Sequence, residues 1–140
     1  MRNSRYPLFL ALGLAGCSQS GASPEPEEPA STSVVGTWQL TALEGNRPGG
    51  TQLPNQRLML DANQQLRFYT NDQLTATGTY HLTQGSACSA APSAEPLLRV
   101  ALATPNSYAP AGNYTLRGNT LIIDQCLAAD GPRYTFRRLR

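Results

Sequence analysis

The chain has 140 residues and no lysine; its eleven basic residues are all arginine, set against nine acids. That length leaves room for one domain. From Val34 onward nine arginines accompany six acids, spread thinly along the chain, which argues against nucleic acid as a partner because that needs a clustered basic face.

The first element is a leader over residues 1–16. Arg2 and Arg5 make a positive start, Pro7 to Leu14 form a short apolar run, and Leu14-Ala15-Gly16-Cys17 closes it with small residues before a cysteine. This is the pattern of a cleaved secretory signal, and the apolar run is too short to span a bilayer. Leu14-Ala15-Gly16-Cys17 resembles the lipobox of bacterial lipoproteins. That resemblance implies that Cys17 receives a diacylglycerol and becomes the N-terminal membrane anchor. It implies a bacterial cell-envelope location, at the outer membrane facing the periplasm or the cell surface, since Ser18 rather than Asp follows Cys17. Two or three acyl chains anchor firmly, each buried methylene contributing about 0.8 kcal/mol.

Residues 17–33 follow as a tether. Pro, Ser and Glu dominate it, with Glu25, Glu27 and Glu28 among them. It carries no apolar periodicity, so it buries too little surface to offset the entropy of ordering and is expected to remain disordered. With Cys17 lipidated, Cys88 and Cys126 are left in an oxidising compartment, where a disulfide is the natural outcome and two free buried thiols the alternative. No Cys-x-x-Cys spacing exists and His81 is the only histidine, so no metal site is expected.

From Val34 to the end the pattern is a two-residue alternation, the mark of half-buried strands. In the first run Trp38, Leu40 and Ala42 share one face. Leu58 and Leu60 follow, then Leu66 and Phe68, then Leu74, Ala76, Gly78, Tyr80 and Leu82. Beyond a long break come Leu98, Val100 and Leu102, then Tyr114 and Leu116, Leu121 and Ile123, and finally Tyr134 and Phe136. Turn chemistry separates the runs at Arg47-Pro48-Gly49-Gly50, Asp61-Ala62-Asn63, Asn71-Asp72, Gly118-Asn119 and Asp130-Gly131-Pro132. No useful 3.6-residue stripe is present. About eight strands in residues 34–140 predict an all-β fold, an antiparallel up-and-down barrel or a sandwich. Two loops are long, Thr83 to Pro96 with Cys88 and Thr104 to Gly112; a disulfide to Cys126 would pin the first across the rim.

Gly36-Thr37-Trp38 at the domain start resembles the Gly-x-Trp signature of lipocalins and small bacterial lipocalin-like domains. Gly78-Thr79-Tyr80, Gly112-Asn113-Tyr114-Thr115-Leu116, Gly118 to Ile123 and Tyr134 to Leu139 fit the same meander, so the resemblance spans nearly all of residues 35–139. It implies a closed barrel in which Trp38 seals one end and an arginine of the last strand, Arg138, packs over it. The domain is shorter than a typical lipocalin and no C-terminal helix follows, so the calyx is expected to be shallow or filled. The opening Thr37 to Gly45 is also similar to META-type envelope domains, whose later Gly-Cys-Asn segment this chain lacks.

No enzyme is expected. His81 stands among outward-facing threonines with no nucleophile arrangement around it. Asp61, Asp72, Asp124 and Asp130 fall at strand ends and turns, where they are ordinary turn formers. No cofactor is implied. The resemblance implies a binding module that takes a small apolar or amphipathic molecule, with Leu60, Phe68, Tyr80, Leu102 and Tyr114 as pocket candidates. The alternative is a non-catalytic structural or interaction module with a filled barrel that contacts another envelope protein through its outer face or long loops. Lumen volume separates the two.

Overall fold

A computed structural model describes residues 32–45 and 52–140. The leader, Cys17, the tether as far as residue 31 and the Arg47-Pro48-Gly49-Gly50 turn lie outside the described residues. Eight strands form one closed antiparallel barrel in simple chain order. They are β1 (Gly36–Glu44), β2 (Gln56–Leu60), β3 (Gln65–Thr70), β4 (Gln73–Gln84), β5 (Pro96–Leu102), β6 (Gly112–Arg117), β7 (Thr120–Asp124) and β8 (Arg133–Arg138). One turn of 3₁₀ helix, Leu127–Ala129, joins the last two strands.

The turns form where short polar residues make them cheap. Asn71 and Asp72 both take positive φ, 51° and 62°, the geometry of a two-residue hairpin and one that Asn and Asp tolerate. At the β2–β3 turn the Asp61 carboxylate accepts from the backbone N–H groups of Asn63 and Gln65, each at 2.9 Å. Gly118-Asn119 closes the β6–β7 hairpin.

The inward faces merge into one core. Trp38, Leu58, Leu121, Ile123 and Phe136 are wholly buried, and Leu40, Leu60, Leu66, Phe68 and Leu98 nearly so. An eight-stranded barrel has a lumen that side chains can just fill, and here they fill it. Three residues depart from the alternation read along the chain, each for a definable reason. Ala42 is exposed and Leu43 turns toward the core instead, because a bulge between Leu40 and Ala42 inserts Thr41 opposite β8. Leu74 is 52% exposed because a second bulge inserts Thr75 opposite β3. An extra residue shifts a two-residue period by one and exchanges the faces beyond it. Both inserted threonines use the hydroxyl to satisfy a facing carbonyl, Thr41 at Thr135 O (3.1 Å) and Thr75 at Phe68 O (3.2 Å). Leu82 keeps the inward phase yet is 47% exposed. Its strand pairs with β3 only as far as Thr79, so the end of β4 overhangs the barrel with β5 as its sole neighbour.

The ladder is uneven. Most neighbouring strands pair over four to seven positions, but β5 and β6 share only Leu97↔Asn113 and Leu98↔Gly112. The Tyr108 loop leaves β5 at this seam and turns inward, burying Ala109 and Pro110 against the core.

The bulges make a direct prediction. Leu74→Thr should change unfolding free energy by less than about 0.5 kcal/mol, as at an exposed site. Phe68→Ala, on the facing strand, should cost about 3–5 kcal/mol. Urea unfolding of the two variants checks the pair; a large loss for Leu74→Thr would contradict the bulge.

Candidate functional site

One end of the barrel is shut by the first and last strands. The Trp38 indole N–H donates to Val34 O at 2.8 Å, so a wholly buried ring keeps its one polar atom satisfied. Arg138 lies over that ring, with Cζ 4.1 Å from the ring centroid, a cation–π contact of about 0.5–2 kcal/mol. Its guanidinium also donates to Val35 O and Ser33 O, each at 2.5 Å. Gly36 makes room for it: φ is +148°, and a Cβ there would collide with the Arg138 guanidinium. The group therefore serves as a structural lock.

The pocket candidates divide between the core and the walls of surface clefts. Leu60, Phe68 and Tyr80 are 2–4% exposed and belong to the continuous core, while Leu102 and Tyr114 pack against it from the side. The Tyr80 hydroxyl donates to Asp61 O at 2.7 Å, which ties β4 to the β2–β3 turn. Of the clefts that adjoin the barrel, Leu60 borders one and Tyr114 two, whereas Phe68, Tyr80 and Leu102 line none of these.

At the opposite end from Trp38, a cleft of about 610 Å³ lies between Leu43, Pro54, Gln56, Tyr108, Gln125, Pro132 and Tyr134. Tyr108, 46% exposed, forms one wall of it. Its ring meets Phe68 edge-on at 6.5 Å, and its hydroxyl donates to Gln125 Oε1 at 2.7 Å and stands 2.5 Å from the Tyr134 hydroxyl. Burial, above all, pushes both phenols above their ordinary value, so they serve as neutral hydrogen-bonding groups. Gln56 Oε1 is buried at this cleft without a hydrogen-bond partner among the described residues. The sequence placed Tyr108 in a loop and gave it no role; its one signal was an aromatic beside Ala109-Pro110 in an otherwise polar run.

The long β4–β5 loop is fastened to the outside of the barrel. Cys88 and Cys126 form a disulfide with Cα atoms 4.9 Å apart. Asn113 completes the fastening: it accepts from Ala87 N at 2.7 Å and donates to Gly85 O (2.7 Å) and Pro96 O (3.2 Å). Between loop and barrel runs a groove of about 450 Å³ with Glu95, Arg117, Asp124 and Arg133 along it. Arg133 grips Asp124 Oδ2 with two donors (3.0 and 2.7 Å) and reaches Glu44 at 3.5 Å. Burial raises the Asp124 carboxyl, but the Arg133 hydrogen bonds and the Leu127 N–H outweigh it and hold the group below its usual range. His81 sits exposed in the middle of β4, opposite Arg99. Among the described residues no three His, Cys, Asp or Glu side chains converge as a metal site would require.

Two outcomes follow. Reducing the disulfide, which closes a 38-residue separation, should remove roughly 3–4 kcal/mol on the chain-entropy estimate and lower Tm by about 10–20 °C; calorimetry with and without reductant measures it. Asp124→Asn should cost about 1 kcal/mol near neutral pH, where the ion pair is partly screened. A carboxyl with a depressed folded pKa stabilises above its unfolded value, near 3.9, and loses that contribution as pH falls through the folded value. The gap between wild type and Asp124→Asn should therefore narrow as pH falls below about 4 in acid-unfolding curves.

No known protein-family model, curated protein or solved structure matches this chain.

Proposed function

We propose that the chain is a lipid-anchored protein of the bacterial envelope whose barrel is a solid, non-catalytic module for contact with another envelope protein. The packed lumen carries this reading. Trp38, Leu58, Leu121, Ile123 and Phe136 are wholly buried, and Ala109 and Pro110 of the Tyr108 loop are buried as well. A carrier of apolar molecules needs a pocket of several hundred cubic ångströms lined mainly by apolar side chains, whereas the inward-facing Phe68, Tyr80 and Phe136 belong to the continuous core and line none of the clefts described above. The lipobox-like Leu14 to Cys17 and the Pro/Ser/Glu-rich segment after it support an anchor and a spacer, which would hold the barrel within tens of ångströms of the membrane.

The 610 Å³ cleft favours a second reading, in which a small amphipathic molecule rests on the Tyr108 and Tyr134 rings and donates to Gln56 Oε1. Both readings meet the same experiment. Full-length protein should fractionate with membranes and Cys17→Ser with the soluble fraction. Native mass spectrometry of the Cys17→Ser chain, after addition of fatty acids and detergents, should show the bare mass. A discrete lipid-mass adduct that Tyr108→Ala abolishes, with the variant still folded by circular dichroism, would overturn the solid-module reading in favour of the amphipathic-ligand one.

A further inference from the structure

The short β5–β6 seam leaves strand edge uncovered, and the hydrogen-bond phase identifies which groups it presents. Ala103 N bonds Thr77 O, and Gly85 N bonds Glu95 O. In an antiparallel pair hydrogen-bonded and non-hydrogen-bonded positions alternate. By the observed register, Arg99 and Ala101 therefore bond to His81 and Thr79 of β4. Leu98, Val100 and Leu102 turn their N–H and C=O groups to the other side. Leu98 meets Gly112 there, but β6 begins at that residue, so Val100 and Leu102 face no strand. The chain that would have continued the ladder upward is the Tyr108 loop, which turns inward to bury Ala109 and Pro110. Beside Val100 an open cleft of about 540 Å³ lies over β5, bordered by His81, Ala87, Arg99, Val100, Ala111 and Gly112.

We propose that the uncovered edge of β5 at Val100 and Leu102 is a strand-addition site for an extended, carboxylate-bearing peptide segment of a partner protein. The inference rests on the interaction-module reading above and gives it a location and a partner chemistry. Four main-chain groups in a row supply the pairing that an added strand uses. Specificity comes from the outer face. Arg99 is exposed, makes no ion pair among the described residues, and lies directly across from His81. An added strand places alternate side chains on that face, where an acidic residue would meet Arg99. A second copy of this chain fits less well, because antiparallel pairing of two β5 edges about Val100 would bring the two Arg99 side chains to the same face as diagonal neighbours, where like charges repel.

The test is residue-resolved hydrogen exchange on the full chain carrying Cys17→Ser, with two probes, Ac-Thr-Glu-Val-Glu-Val-Thr-NH₂ and its Lys-for-Glu counterpart. In the free protein Val100 and Leu102 amides should exchange faster than those of Arg99 and Ala101. The Glu probe at millimolar concentration should slow Val100 and Leu102 by at least about tenfold, protection of the kind a new ladder bond gives. The Lys probe should not, and Arg99→Glu, an exposed substitution that keeps the fold, should exchange the two preferences. No protection by the Glu probe, or equal protection by both, overturns the proposal. So does protection that grows with protein concentration alone, which would make a second copy the occupant. A lipid adduct in the mass-spectrometric experiment would instead sink the interaction-module reading, so the two failures are told apart.

Discussion

Arg138 holds the two ends of the barrel sequence together. Its guanidinium lies over the Trp38 ring, and its donors reach back across more than a hundred residues to Ser33 and Val35. Closing an eight-stranded sheet means joining its first and last strands, and a pair of β-strands alone is only marginally stable in water. The closure therefore needs an interaction that is strong and placed where the strands meet. The buried indole supplies area, the arginine supplies charge-assisted hydrogen bonds to backbone carbonyls, and Gly36 supplies the space. With that end locked, β1 can pair with both β2 and β8, and the inward side chains have a fixed volume to fill.

All eight strands were legible in the alternation, and the polar turns between them in their Asn, Asp and Gly residues. The two bulges were not. A period-two reading assigns Ala42 and Leu74 to the core because nothing local marks Thr41 or Thr75 as surplus; only the partner strand reveals the count. Threonine is a fitting residue at both places, since its hydroxyl caps the carbonyl that the bulge exposes. Residues such as Leu60, Phe68 and Tyr80 were correctly read as pointing inward. Whether inward side chains line a pocket or fill it depends on their summed volume against the barrel's, which no single strand displays. The cleft at the Tyr108 end was hidden for a different reason, because Gln56, Tyr108, Gln125 and Tyr134 come from four separate segments.

The loops divide the labour that the strands cannot do. The Cys88 loop is pinned outside by a disulfide and by three Asn113 hydrogen bonds, so the eleven residues between β4 and β5 are held as a wall. The Tyr108 loop turns the other way and becomes core. One loop thereby creates a groove, and the other uncovers an edge beside it. Natural sheets usually hide such an edge, and the proposed strand-addition site would use the one left beside the exposed Arg99.

The β1–β8 closure also governs the order in which the fold can be made. Trp38 is synthesised a hundred residues before Arg138. Until β8 arrives, the indole has β2 beside it but neither its roof nor its second neighbouring strand. Contacts of such long separation make a slow, late-committing topology. Until then the sheet stays open with its largest apolar ring uncovered, a state prone to aggregation.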